Sequence, residues 1–186
     1  FFDRRSAWAM WGLFALLSLL AAVVHCAVVP DATHDVAYDP KRSLRLLYFS
    51  TAAYCHADEV RSWTCKPCRQ ADDRSHHPVT VIENQTTSTQ AFVYSSGPVV
   101  VVAFRGTYDL VNWIYDLTFR KVAPYPRCEG CLVHAGFVEA WESVHGVIAR
   151  AVKEHLRRDP NAEVLITGHS LGAALAVLCA MDLHYA

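Results

Sequence analysis

The run Val164-Leu165-Ile166-Thr167-Gly168-His169-Ser170-Leu171-Gly172 constrains the fold of this chain more than any other feature. Glu163 to Thr167 is a short apolar run rich in β-branched residues, which predicts a buried strand, and Ala173 to Met181 is a dense run of helix formers. Strand must therefore give way to helix within a few residues, with a serine at the corner and a glycine on either side of it. So sharp a turn crowds the backbone, and Gly168 and Gly172 carry no side chain where neighbouring segments approach. Ser170 then stands exposed above the sheet. The N–H of Leu171, at the helix start, has no partner within the helix and points toward an oxygen bound beside Ser170. A Gly-x-Ser-x-Gly elbow of this kind predicts a serine that attacks a carbonyl carbon.

The strands around the elbow can be read from the same kind of pattern. Pro98-Val99-Val100-Val101-Val102-Ala103-Phe104 is β-branched without alternation, as expected of a strand buried on both faces, and it ends in Arg105-Gly106-Thr107. Thr80 to Ile82 and Ala91 to Tyr94 predict two antiparallel strands joined by a polar turn. Residues 137–158 predict an amphipathic helix with Phe137, Trp141, Val144, Ile148 and Val152 on one side and Asp159-Pro160 as its stop. Strand, crossover helix and elbow strand make a right-handed βαβ unit, whose ligand site lies at the carboxyl ends of the strands. Residues 43–54 are loosely helical in spacing, and 55–78 are expected to form a cysteine-pinned loop.

A serine nucleophile needs a base, and on this kind of sheet the chain order is Ser, then Asp or Glu, then His. Up to Ala186 only Asp182 and His184 follow Ser170, and they lie about 18 to 21 Å along the helix that starts there, out of hydrogen-bond reach. We therefore expect the acid and base beyond Ala186 and, with Phe1 in place of an initiator Met, a chain that is part of a longer reading frame. His169 is expected to be structural rather than catalytic, and His134 to pack or hydrogen-bond near the site. Arg105 is expected to neutralise a carboxylate.

Arg4 and Arg5 precede an apolar stretch from Ala7 to Val24, so residues 1–27 are expected to be a signal peptide or an uncleaved signal anchor, and 28–42 a linker. Either puts the remainder on the non-cytosolic side, secreted or membrane-anchored. A net charge of −1 with scattered Lys and Arg excludes a nucleic-acid-binding stripe. Asn84-Gln85-Thr86 is a glycosylation sequon. Cys55, Cys65, Cys68, Cys128 and Cys131 sit in polar or turn-like surroundings and are disulfide candidates, Cys128 with Cys131 across Glu129-Gly130 and Cys55 with Cys65 or Cys68, one thiol being left over. The two Cys-x-x-Cys pairs lie too far apart for a compact zinc site, and no metal or other cofactor is expected. Cys179 is expected to be a small buried hydrophobe.

Four blocks in order, Phe104-Arg105-Gly106-Thr107, then Asn112-Trp113 with Asp116-Leu117, then Val133-His134-Ala135-Gly136-Phe137, then Gly168-His169-Ser170-Leu171-Gly172, resemble the fungal-type class 3 lipases. The resemblance covers residues 92–182 and implies an α/β-hydrolase fold, a mostly parallel sheet with flanking helices, over residues 43–186 as a C-terminally incomplete domain. It implies Ser170 as nucleophile, the Leu171 N–H as one oxyanion donor, and Thr107, through its N–H and hydroxyl, as the other; a plain turn residue is the alternative for Thr107. Residues 108–119 correspond to the family's lid, with Asn112, Trp113 and Ile114 in an amphipathic segment able to meet lipid, or else a fixed core helix. The expected activity is carboxylic ester hydrolysis, acylglycerol lipase-like, on a lipid or other ester with contact to a lipid interface. A feruloyl-type esterase and a catalytically inactive lipase-like surface protein are the alternatives.

Overall fold

A strand that is apolar on both faces needs a covering layer on each side, and the architecture supplies both. The computed structural model describes residues 37–72, 78–107, 120–126 and 128–185, and their elements belong to the compact unit Asp39–Ala186. In chain order they are α1 (Pro40–Ala52), α2 (Ala57–Arg61), α3 (Lys66–Ala71), β1 (Val79–Asn84), β2 (Thr89–Ser96), β3 (Val99–Phe104), β4 (Lys121–Val122), β5 (Val133–His134), α4 (Ala135–Arg158), β6 (Glu163–Gly168) and α5 (Leu171–Tyr185). The main sheet has the order β1-β2-β3-β6, and β4 pairs with β5 in a separate small sheet.

The β1-β2 and β2-β3 pairs are antiparallel, whereas β3 and β6 are parallel in the register Val99 with Glu163 through Phe104 with Gly168. Among the described residues the sheet is thus mixed, with one parallel pair, as fits an incomplete α/β domain whose sheet begins with an antiparallel hairpin. The reason is connection length: the short turns after β1 and β2 allow only reversal, while the long excursion through α4 permits a parallel return. That return is the expected βαβ unit.

Side-chain alternation sends each strand into two cores. Ala91, Val93, Val100, Val102 and Phe104 face α4 and α5, where Trp141, Val144, Ile148, Val152, Leu175 and Leu178 are buried against them. Phe92, Tyr94, Val101 and Ala103 face the N-terminal helices, against Phe49, Ala52, Val60, Trp63, Cys65 and Cys68. Each such large side chain contributes about 1.5 to 3 kcal/mol when fully buried. Trp63 stacks on Tyr94 with centroids 4.4 Å apart, and its indole N–H donates to the Asp72 carbonyl at 2.9 Å.

Several expectations are revised here. The helix α1 begins at Pro40, inside the stretch expected to be linker to 42, because Asp39 caps it by accepting from the Lys41 and Arg42 amides and Pro40 is preorganised for a first helical position. The expected loop 55–78 contains α2, opened by a His56/Glu59 capping box, and α3, capped by the Cys65 sulfur. Helix α4 starts at Ala135 rather than 137, since His134 Nδ1 accepts from the Gly136 amide at 3.1 Å and caps it.

The cysteines pair differently from the expectation in one respect. Cys65 is bonded to Cys68, and Cys128 to Cys131, so Cys55 is a free thiol instead of the partner of Cys65 or Cys68. All three sulfurs lie within 4.8 Å of one another, which makes spacing in sequence a poor guide to which two join. Cys179 is fully buried in the α4/α5 core. No helix among the described residues is long and apolar enough to cross a membrane; residues 1–36, which hold the signal or anchor expectation, and the lid candidates Asn112, Trp113 and Ile114 lie outside the described residues.

Candidate active site

The parallel register of β3 and β6 decides the site. Phe104 pairs with Gly168 at the carboxyl ends of both strands, so the residues that follow, Arg105-Gly106-Thr107 and His169-Ser170, leave the sheet side by side. The carboxyl ends of parallel strands are where α/β sheets place their chemistry.

Ser170 has φ +56°, in the left-handed region that costs a non-glycine residue about 1 to 2 kcal/mol. The strain is imposed from both sides. The Gly172 amide donates to the His169 carbonyl and the Ala173 amide to the Ser170 carbonyl, both at 2.9 Å, so α5 starts directly from the corner. A Cβ on Gly168 would overlap the Gly172 carbonyl, and one on Gly172 would overlap the carbonyl of Phe104. The first glycine lets the helix fold back on its own strand, and the second lets the elbow press on β3. Both elbow glycines are thus required by close backbone approach, as their spacing implies.

Leu171 is the first residue of α5, so its N–H has no acceptor four residues back and is free of the helical ladder. Its apolar side chain is buried in the α4/α5 core, which fixes the amide beside Ser170. Thr107, half-buried, follows the loop out of β3. Loop and elbow touch at Gly106: a Cβ there would lie 2.6 Å from the His169 carbonyl oxygen and 3.2 Å from Ser170 Cβ, and would overlap the Tyr54 hydroxyl. Reading the sequence missed Gly106 and Tyr54, since their significance rests on contacts between segments remote in the chain.

Arg105 holds the loop from behind. Its amide continues the ladder to the Gln90 carbonyl at 2.9 Å, and its guanidinium donates to Gln90 Oε1 at 3.3 Å and to the Ser88 carbonyl at 2.6 Å. Both of these acceptors are neutral oxygens of the β1-β2 hairpin. His169 is exposed, and its Nδ1 is 2.9 Å from the Tyr54 hydroxyl, the structural bond expected of it.

Asp182 is bound elsewhere. Its carboxylate accepts from the Trp141 indole N–H at 2.6 Å, and with burial it pushes the Tyr125 phenol well above its usual pKa, burial being the larger cause. The pair tethers the segment after residue 120 to α5. Asn84, half-buried, ends β1 with Oδ1 accepting from the Thr87 amide at 3.1 Å, so the sequon runs from the strand end into the β1-β2 turn, where Gln85 and Thr86 are exposed.

This arrangement, a strained serine between parallel strand and helix with the loop after β3 packed on it, has the geometry of an α/β-hydrolase-type elbow. Comparison with known proteins agrees. Residues 101–186 match the model of the class 3 lipases. The secreted mono- and diacylglycerol lipase A of Penicillium cyclopium is 46% identical over 84 residues, 45% of this chain and 27% of that protein. The lipase of Rhizomucor miehei is 34% identical over 148 residues, 75% of this chain and 39% of that protein. A solved triacylglycerol lipase, whose catalytic centre is formed by a serine protease triad, superposes with a TM-score of 0.68 at 31% identity, over 80% of this chain and 57% of that one. Over residues 101–186 the chain belongs to the class 3 lipase family. It spans 27% and 39% of the length of these two curated relatives.

Proposed function

We propose that the protein containing this chain is a carboxylic ester hydrolase of the acylglycerol lipase type. The observation that carries the proposal is the left-handed Ser170 at the β6-α5 junction, packed through Gly106 against the loop that ends in Thr107. In the first half-reaction Ser170 Oγ attacks the ester carbonyl carbon, its proton passes to a base, and the C–O bond to the alcohol breaks with that proton delivered to the leaving oxygen. Water then adds to the acyl-enzyme, releases the carboxylic acid and restores the serine. The developing oxyanion is held by the Leu171 N–H and by Thr107, and a donor of this kind supplies about 3 to 4 kcal/mol of transition-state stabilisation. The acid and base are assigned to sequence after Ala186, in the family's chain order, because Asp182 is committed to Trp141.

The relatives support a reading of substrate and setting. Two are lipases of acylglycerols by name and one is named as secreted, which supports a lipid ester substrate met at a lipid interface and a domain outside the cytosol. Residues 108–119 are proposed as the lid, and Asn84, at the strand end that leads into the β1-β2 turn, as a glycan acceptor. The test is hydrolysis of emulsified mono-, di- and triacylglycerols by the full-length protein, with release of fatty acid titrated. Activity that falls at least a thousand-fold in Ser170→Ala supports the proposal; equal rates for the two proteins contradict it.

A further inference from the structure

The site just described leaves one polar contact unexplained, the phenol of Tyr54 at the seam between the two loops. Tyr54 follows α1, far in sequence from either loop. Its hydroxyl lies 2.9 Å from His169 Nδ1, with the rings tilted at 57° and centroids 6.0 Å apart. The same oxygen occupies the space a Gly106 side chain would fill. One atom therefore touches the residue before the nucleophile and the residue before the oxyanion threonine.

The segment carrying Tyr54 is held as firmly as the loops it touches. Gln90, 5% exposed on β2, donates from Nε2 to the Ala53 carbonyl at 3.0 Å and the Cys55 carbonyl at 2.9 Å, the residues on either side of Tyr54. The Oε1 of Gln90 accepts from Arg105, whose amide is bonded to the Gln90 carbonyl. The bonds thus form a closed circuit: Gln90 to the Tyr54 backbone, the Tyr54 hydroxyl to His169, elbow to Gly106 by contact, and Arg105 back to Gln90.

Resting on the reading of Ser170 as nucleophile, we infer that Tyr54 is a positioning residue that sets the distance between Ser170 and the oxyanion loop through its hydrogen bond to His169. The phenol can donate to Nδ1 or accept from Nδ1–H, so the bond persists in either tautomer of the imidazole. It acts on backbone geometry and does not touch the reacting carbonyl. A relaxed seam would misplace oxyanion donors relative to Oγ, which lowers the rate of acylation and leaves ground-state binding unchanged. A single neutral hydrogen bond sets the scale, a factor of about three to ten in rate.

The experiment uses full-length protein and p-nitrophenyl butyrate, with Tyr54→Phe, His169→Ala, His169→Asn and the double variant Tyr54→Phe/His169→Ala. Tyr54→Phe keeps the ring and its packing, so its thermal midpoint stays near wild type. The expected result is kcat lowered about three- to ten-fold with KM within two-fold, no further loss when Tyr54→Phe is added to His169→Ala, and recovery in His169→Asn, which restores a polar atom near the Nδ1 position. The imidazole 15N shifts of His169 should also move in Tyr54→Phe. An unchanged kcat, losses that multiply in the double variant, a loss confined to KM, or unmoved 15N shifts would each overturn the inference. A wild-type protein with no esterase activity would instead sink the reading of Ser170, and the 15N shifts would still decide whether Tyr54 holds His169.

Discussion

Gly106→Ala isolates the contact on which the proposed chemistry depends. The new Cβ would sit 2.6 Å from the His169 carbonyl oxygen, where about 3.0 Å is the least that real Cβ atoms show, and it would overlap the Tyr54 hydroxyl. The phenol is the end of a side chain and can swing away. The carbonyl is backbone, fixed by the Gly172 amide at 2.9 Å, so loop and elbow must separate by roughly half an ångström or more. Displacements approaching 1 Å cost up to about a hundred-fold in rate, and we expect kcat of the full-length enzyme on a soluble ester to fall about ten- to a hundred-fold with KM nearly unchanged. Gly146→Ala is the matched control. Gly146 lies in the middle of α4 with open space where a Cβ would be, so the same substitution should stabilise by about 1 kcal/mol and leave kcat alone. Steady-state kinetics with thermal midpoints reads both. A Gly106→Ala enzyme within two-fold of wild-type kcat would refute the claim that loop and elbow are held in register by this contact.

Two further predictions concern strain and charge. Ser170→Gly should be more stable than Ser170→Ala by about 1 kcal/mol, because only glycine adopts φ +56° without a Cβ penalty; urea unfolding of the two inactive proteins compares them directly, and equal midpoints would show that the elbow is unstrained. The Tyr125 phenol, held protonated by burial and by the Asp182 carboxylate, has a folded pKa above its unfolded value near 10. Above that pH the unfolded chain loses a proton the folded chain keeps, so stability falls as pH rises. Cys179, raised to about 12 by burial and Asp182, adds to the same slope. Tyr125→Phe should flatten the fall of the urea midpoint between about pH 9 and 11, and an unaltered slope would contradict the assignment.

What could be read from the sequence was whatever a local pattern encodes. The unalternating valines of β3 announce two buried faces, and both are filled; Gly168 and Gly172 announce a crowded corner, and both meet backbone there. The Asp39-Pro40 cap was equally local, and so was Cys65-Lys66-Pro67, but each lay in a stretch already read as linker or loop. His134 as a helix cap escaped because histidine is outside the usual set of capping residues. Gly106, Tyr54 and Gln90 escaped for a different reason: their roles are contacts among three segments that only the folded sheet brings together. Pairing among Cys55, Cys65 and Cys68 was undecidable from spacing because the three sulfurs converge on one point of the N-terminal core.

Covalent capture of Ser170 tests the central claim most directly. Full-length protein treated with diethyl p-nitrophenyl phosphate, digested and sequenced by mass spectrometry should carry one diethylphosphoryl group, on Ser170, formed in step with release of nitrophenolate and with loss of ester hydrolysis. Modification at another serine accompanied by the same loss, or full activity with Ser170 quantitatively modified, would contradict the account.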